Sequence, residues 1–181
     1  MNSFSSILAL QEFKLSRNRE MIEYALYTTV AFVVPFSLGH PQLVVGTLVN
    51  AALILSALNL KNNKILPVIL LPSVAVLARG LIFGPYTVYL LYTLPFIWIG
   101  NSILVYSIKR LYLSAGVNKY LSLILSIGAK VLVLYASAMA LIALGVLPKI
   151  FATSMGMLQL LTAVLGCVLA LSVQKFIRAR S

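Results

Sequence analysis

Apolar residues run almost unbroken through six stretches of the chain, at residues 22–38, 42–60, 65–84, 87–108, 121–146 and 153–173. A bilayer hydrocarbon core of about 30 Å is crossed by about 20 helical residues rising about 1.5 Å each. The pattern therefore predicts an all-α integral membrane protein with six transmembrane helices. The connections are short and carry the turn-forming residues: Gly39-His40-Pro41, Lys61-Asn62-Asn63-Lys64, Gly84-Pro85 and the segment 147–152. Pro35, Pro67, Pro72 and Pro95 fall within or near the ends of spans, where they are expected to bend helices. Residues 1–20 form an N-terminal cytoplasmic or interfacial segment, 21–174 the six-helix domain and 175–181 a basic tail. Phe4, Ile7, Leu8, Phe13 and Leu15 alternate with polar residues in the first segment, which either lies in the interface as a short amphipathic helix or frays.

Composition narrows the class. Of 181 residues, 61% are hydrophobic and 9% charged, against about 45–50% and about 25% in a soluble domain. The formal net charge of +11 would suit a nucleic-acid binder if the basic residues were clustered, but they stand in short runs between spans. One side carries Lys14, Arg17, Arg19, Lys61, Lys64, Lys109, Arg110, Lys119, Lys175, Arg178 and Arg180; the other carries Arg79 and Lys149. By the positive-inside rule both termini are cytoplasmic, in a multi-pass protein of the cell (plasma or inner) membrane. Residues 1–10 have too short an apolar run, and no basic lead-in, for a secretory signal.

The acids are three, Glu12, Glu20 and Glu23, and nothing after residue 23 bears a carboxylate. Carboxylate pairs, carboxylate metal sites and Ser-His-Asp triads are thereby excluded from the membrane region. One cysteine (Cys167) and one histidine (His40) exclude an internal disulfide and a multi-histidine metal site. No phosphate-loop motif occurs. No cofactor and no enzymatic activity are expected.

Lys130 is the residue that stands out. Nine residues into span five, it lies about 13 Å from the cytoplasmic edge, where a cation costs at least about 2.5–3.5 kcal/mol. Either it faces the protein interior and serves a function, or its stem snorkels to the interface. Inside, with no acid to pair with, it meets a carbonyl, a polar side chain, water or a bound anion, or it gives up its proton. Asn50 and Asn101 come out at similar depth, and Trp98 near the centre, too deep for an aromatic belt. Gln159, Tyr135 and Tyr92 fall in the outer third. Arg79 stands near the outer end of span three, to meet either an anionic ligand or lipid phosphate. Such amides also bridge helices without any ligand.

Several segments carry a family resemblance: Gln42-Leu-Val-Val-Gly-Thr-Leu-Val-Asn50, Leu71-Pro-Ser-Val-Ala75, Leu94-Pro-Phe-Ile-Trp-Ile-Gly-Asn101, Lys130 and Leu158-Gln-Leu-Leu-Thr-Ala163. With six spans and both ends inside, the chain resembles, over residues 22–174, the substrate-binding S components of energy-coupling factor (ECF) transporters. The resemblance implies an outward-facing pocket for a vitamin-like molecule, built largely from the last three helices and the outer loops. It also implies partners: a transmembrane coupling protein and two ATPase subunits. Ala25 and Ala31 lack the Ala-xxx-Ala spacing that often marks the family's docking face on the first helix.

Two functions from different classes follow. In the first, the chain captures a small anionic or neutral micronutrient. Lys130 and Arg79 would neutralise it, Trp98, Tyr92 and Tyr135 would pack its body, and Asn101, Gln159 and Asn50 would orient it. In the second it is a structural or assembly protein without a ligand. An outward-open cavity of about 300 Å³ or more favours capture, and a closed, dry interior favours the alternative.

Overall fold

A computed structural model of the chain describes residues 3–38, 41–83 and 87–178. The turn residues Gly39-His40 and Gly84-Pro85-Tyr86 lie outside the described residues. The long apolar stretches are helices: α2 (Arg17–Ser37), α3 (Gln42–Asn59), α4 (Ile65–Phe83), α5 (Thr87–Ile108), α6 (Lys119–Ala143) and α8 (Met157–Arg178), with short helices α1 (Phe4–Leu8) and α7 (Ile150–Met155). Helix ends follow local chemistry. The Ser16 side chain accepts the Arg19 N–H at the start of α2, and Asn118 Oδ1 accepts the Tyr120 N–H at 2.9 Å at the start of α6.

Among the described residues five helical stretches are long and apolar enough to cross a membrane: Gln42–Asn59, Asn62–Gly80, Tyr89–Ser114, Lys119–Ala143 and Ile150–Phe176. The chain is thus built as a multi-pass membrane protein. α2 has the length of a sixth crossing, but Arg17, Arg19, Glu20 and Glu23 crowd its first two turns and set it apart from the other five.

Two boundaries depart from the apolar pattern. The fourth long helix does not stop at Ile108. It widens into a π-helical stretch over Lys109–Ser114, because Lys109 is drawn inward rather than into a loop. The last helix is broken at Gly156 instead of beginning after a loop. A Cβ there would lie 2.8 Å from the Tyr135 ring and from the Ala152 carbonyl oxygen, so glycine alone fits where α7 turns into α8.

α3 is the central helix, buried over every residue from Asn50 to Asn59. Its closest neighbour is α8, and two glycines set the spacing. A Cβ on Gly46 would stand 2.7 Å from Thr162 Cγ2, and one on Gly166 2.7 Å from Asn50 Cβ. Small residues permit this approach in a membrane, where packing rather than water exclusion joins helices. Below the seam, toward the termini, is a large apolar core that includes Leu53, Ile54, Leu58, Leu104 and Ile108. A smaller cluster of Leu134, Ala138, Leu147, Phe151 and Met155 lies toward the far end.

The N-terminal segment forms a short helix and a strap that pack on the bundle. α1 buries Ile7 and stacks Phe4 on Tyr106 with ring centroids 5.2 Å apart. The following strap crosses the end of the bundle. Glu12 N–H donates to the Leu58 carbonyl at 2.8 Å, and Gln11 Nε2 donates to the Asn59 carbonyl.

Gly166→Ala is expected to cost about 1–3 kcal/mol, the range for overpacking, because backbone atoms (Thr47 O and Ala51 N) stand within 3 Å of the new Cβ. Gly128→Ala, with nothing within 4 Å of its Cβ, is expected to leave stability equal or slightly raised. Thermal unfolding in detergent separates the two; equal losses would contradict the close α3–α8 approach.

Candidate functional site

α6 buries Ser122, Ser126, Lys130, Leu134 and Ala138, one residue in four, which is the inward stripe of a helix. Lys130 therefore points into the bundle, 2% exposed, and does not snorkel. Its Nζ donates to Asn50 Oδ1 at 2.6 Å. An ammonium has no acceptor, so the Asn50 oxygen faces it and the amide nitrogen turns the other way. That nitrogen donates to the Gly46 carbonyl at 2.9 Å and to Thr162 Oγ1 at 3.2 Å. The Thr162 hydroxyl in turn donates to the Gln159 carbonyl at 3.1 Å. Three helices are thus joined by one polar chain, made possible by the glycine-spaced seam.

The ammonium has three N–H bonds, and one is used. Among the described residues the other two have no partner, and Lys130 lines a partly open cavity of about 150 Å³. The walls come from α2 through α8: Pro35, Gln42, Val45, Val49, Ser73, Ile97, Asn101, Leu134, Leu158 and Gln159 among them. These residues occupy the half of the bundle away from the termini. No carboxylate is among the lining residues. The volume is below the roughly 300–1,000 Å³ of sites for drug-sized ligands, and close to the roughly 150 Å³ of an engineered cavity that takes up benzene.

Four of the eight residues singled out in the sequence meet here: Lys130, Asn50, Asn101 and Gln159. Asn101 also donates to the Ile69 carbonyl at 3.1 Å, tying α5 to α4. The other four lie elsewhere. Trp98 Nε1 donates to Ser73 Oγ at 2.7 Å, and its ring faces a groove between α4 and α5. Tyr92 is 51% exposed and Tyr135 43% exposed. Arg79 Nη1 donates to the carbonyls of Phe36 and Ser37 at 3.0 and 2.9 Å, satisfying the C-terminal end of α2. The sequence reading passed over Thr162, Ser73 and Gln42. Spacing was the available signal: Gln42, Gly46 and Asn50 recur every four residues, and Thr162 follows Gln159 by three.

A second polar cluster, also missed, occupies the end that holds the termini. The Glu12 carboxylate accepts from Lys119 Nζ at 3.0 Å, from the Tyr112 hydroxyl at 2.9 Å and from Gln174 Nε2. Glu23 accepts from the Tyr27 hydroxyl at 2.9 Å and from Asn59 Nδ2 at 2.8 Å. Glu20 pairs with Lys64 at 3.1 Å and Lys61 at 3.7 Å. Lys109, fully buried, donates to the carbonyls of Leu60, at 2.9 Å, and Leu10. It closes the end of α3 rather than sitting in a loop. All three acids of the chain thus serve to fasten this end.

No family model matches the chain, no curated protein matches it, and no solved structure matches its fold.

Asn50→Leu removes the one partner that the buried Lys130 has among the described residues and is expected to lower stability by about 2–4 kcal/mol. Lys130→Met on that background is expected to restore part of the loss. A double-mutant cycle by thermal unfolding reads the coupling, and purely additive effects would show that the bond carries nothing.

Proposed function

We propose that this chain is a membrane-embedded capture subunit, taking a small carboxylate or a neutral vitamin-like molecule into the cavity beside Lys130. The observation that carries the reading is the buried ammonium: anchored by a neutral amide, free of any carboxylate, and with two donors left over in a cavity. In a low-dielectric site an acceptor placed there gains far more than it would in water. The guest, or the part of it that enters, is about the size of a benzene ring, with an anionic or carbonyl oxygen for Lys130 and apolar edges for Val45, Val49 and Ile97.

The same reading has six crossings, with α2 as the sixth and both termini cytoplasmic, in accord with the distribution of Lys and Arg. The cavity then faces outward. Beneath it the apolar core of Leu53, Ile54, Leu58, Leu104 and Ile108 is closely packed, and the buried Ser126 hydroxyl below Lys130 is bonded to the Ser122 carbonyl, which favours a seat over a channel. Passage across the membrane then needs a partner. The resemblance to ECF S components supplies one kind, a transmembrane coupling protein with two ATPase subunits. All four of the resembling segments that lie outside α6 contribute lining residues, among them Asn50, Ser73, Asn101 and Gln159, which supports it further.

A structural role without a ligand is favoured by one observation, the modest cavity of about 150 Å³. The two readings separate cleanly. A panel of compact carboxylates, each with its matching amide, is screened by thermal shift on the detergent-purified protein, with native mass spectrometry for any retained molecule. Capture expects at least one carboxylate to raise Tm in the parent and not in Lys130→Met, which keeps the volume and leaves Asn50 bonded to Gly46 and Thr162. No shift and no retained mass would leave the structural reading standing.

A further inference from the structure

A groove of about 690 Å³ runs along the outer side of α4 and α5, apart from the Lys130 cavity. We propose that it is a seat for one acyl chain of an anionic phospholipid, taken from the leaflet that meets the chain's termini. Its length is the first argument. On α5 the lining runs from Pro95 to Tyr106, eleven steps of about 1.5 Å or about 16 Å. That is half of a hydrocarbon core of about 30 Å, the depth of one leaflet. A spanning helix of a partner protein would need a seam across the whole thickness, and this one stops at Trp98 and Pro95.

Chemistry along the groove gives the second argument. Its walls are apolar, with Leu66 and Ile99 about half exposed. At the end near the termini the lining turns polar at Asn62 and Asn63, where a headgroup would sit. Beside those amides are Lys61 and Lys64, with side chains 42% and 31% exposed, sharing the single Glu20 carboxylate. Two cations on one anion leave a net positive charge at the headgroup level, which complements phosphate and an anionic headgroup. The stacked pair Phe4–Tyr106 holds α1 over this end, so the N-terminal segment forms part of the seat.

Trp98 is the only tryptophan of the chain and lies at the deep end of the groove, which makes it a reporter. The full chain is placed in vesicles of mixed phosphatidylcholine and phosphatidylglycerol, with one lipid at a time brominated on its acyl chain at the same mole fraction. Brominated phosphatidylglycerol is expected to quench Trp98 as though enriched up to about fivefold, the factor one lysine near an anionic lipid supplies. Lys61→Gln is expected to bring the two quenching curves toward each other. Ser102→Phe, filling the groove, is expected to weaken quenching by both lipids. Equal curves in the parent protein, or a preference undiminished by Lys61→Gln, would overturn the proposal. So would weak quenching by both lipids, which with a co-purified protein would mark a partner helix as the occupant.

Discussion

The Asn50 carboxamide oxygen against the Lys130 ammonium is the contact on which the rest of the molecule turns. Had a carboxylate stood there, the pair would be neutral and self-satisfied. A neutral amide holds the cation in place without cancelling it. The arrangement demands that α3 and α8 approach at glycine distance, through Gly46 and Gly166, so that Asn50 and Thr162 share a hydrogen bond. It also demands that α6 turn its inward stripe toward them. Helix spacing, side-chain orientation and residual charge are therefore one constraint.

The two ends of the bundle solve opposite problems. At the end bearing the termini, Glu12, Glu20 and Glu23 are matched with Lys119, Lys64, Lys61, Asn59 and Gln174, and the N-terminal strap is bound across the helix ends. Most polar groups here are closed on one another, which suits a fixed seal. At the far end, among the described residues, Lys130 keeps one side-chain partner and borders a space. The packed core of Leu53, Leu58 and Leu104 lies between the two.

Much of the fold was legible because each long apolar run has one economical solution in hydrocarbon, a helix that satisfies its own backbone. Boundaries of α3 and α4, and the start of α5, agree with the apolar pattern within a residue or so. What the pattern lacked was azimuth. Depth along a helix brought Tyr135 close to Lys130, but five residues at about 100° each carry it about 140° away around the axis, out of the inward stripe through Ser126, Lys130 and Leu134. Tyr92 missed the cavity in the same way. Lys109 followed by Arg110 has the look of a charged stop after a span, and only tertiary contacts with Leu60 and Leu10 reveal it as a buried cap. The strap over residues 9–16 was illegible for a related reason: its partners are spread from Leu58 to Gln174, and no local signal joins them.

The most direct test of a cavity open away from the termini is sided thiol labelling. In a Cys167→Ala background, Gln159→Cys and Lys61→Cys are each exposed to a membrane-impermeant maleimide, in intact cells and in inverted vesicles. The account expects the two positions to label from opposite faces, position 159 from outside and position 61 from within. Position 159 protected from both faces, or labelling from the same face as position 61, would contradict it.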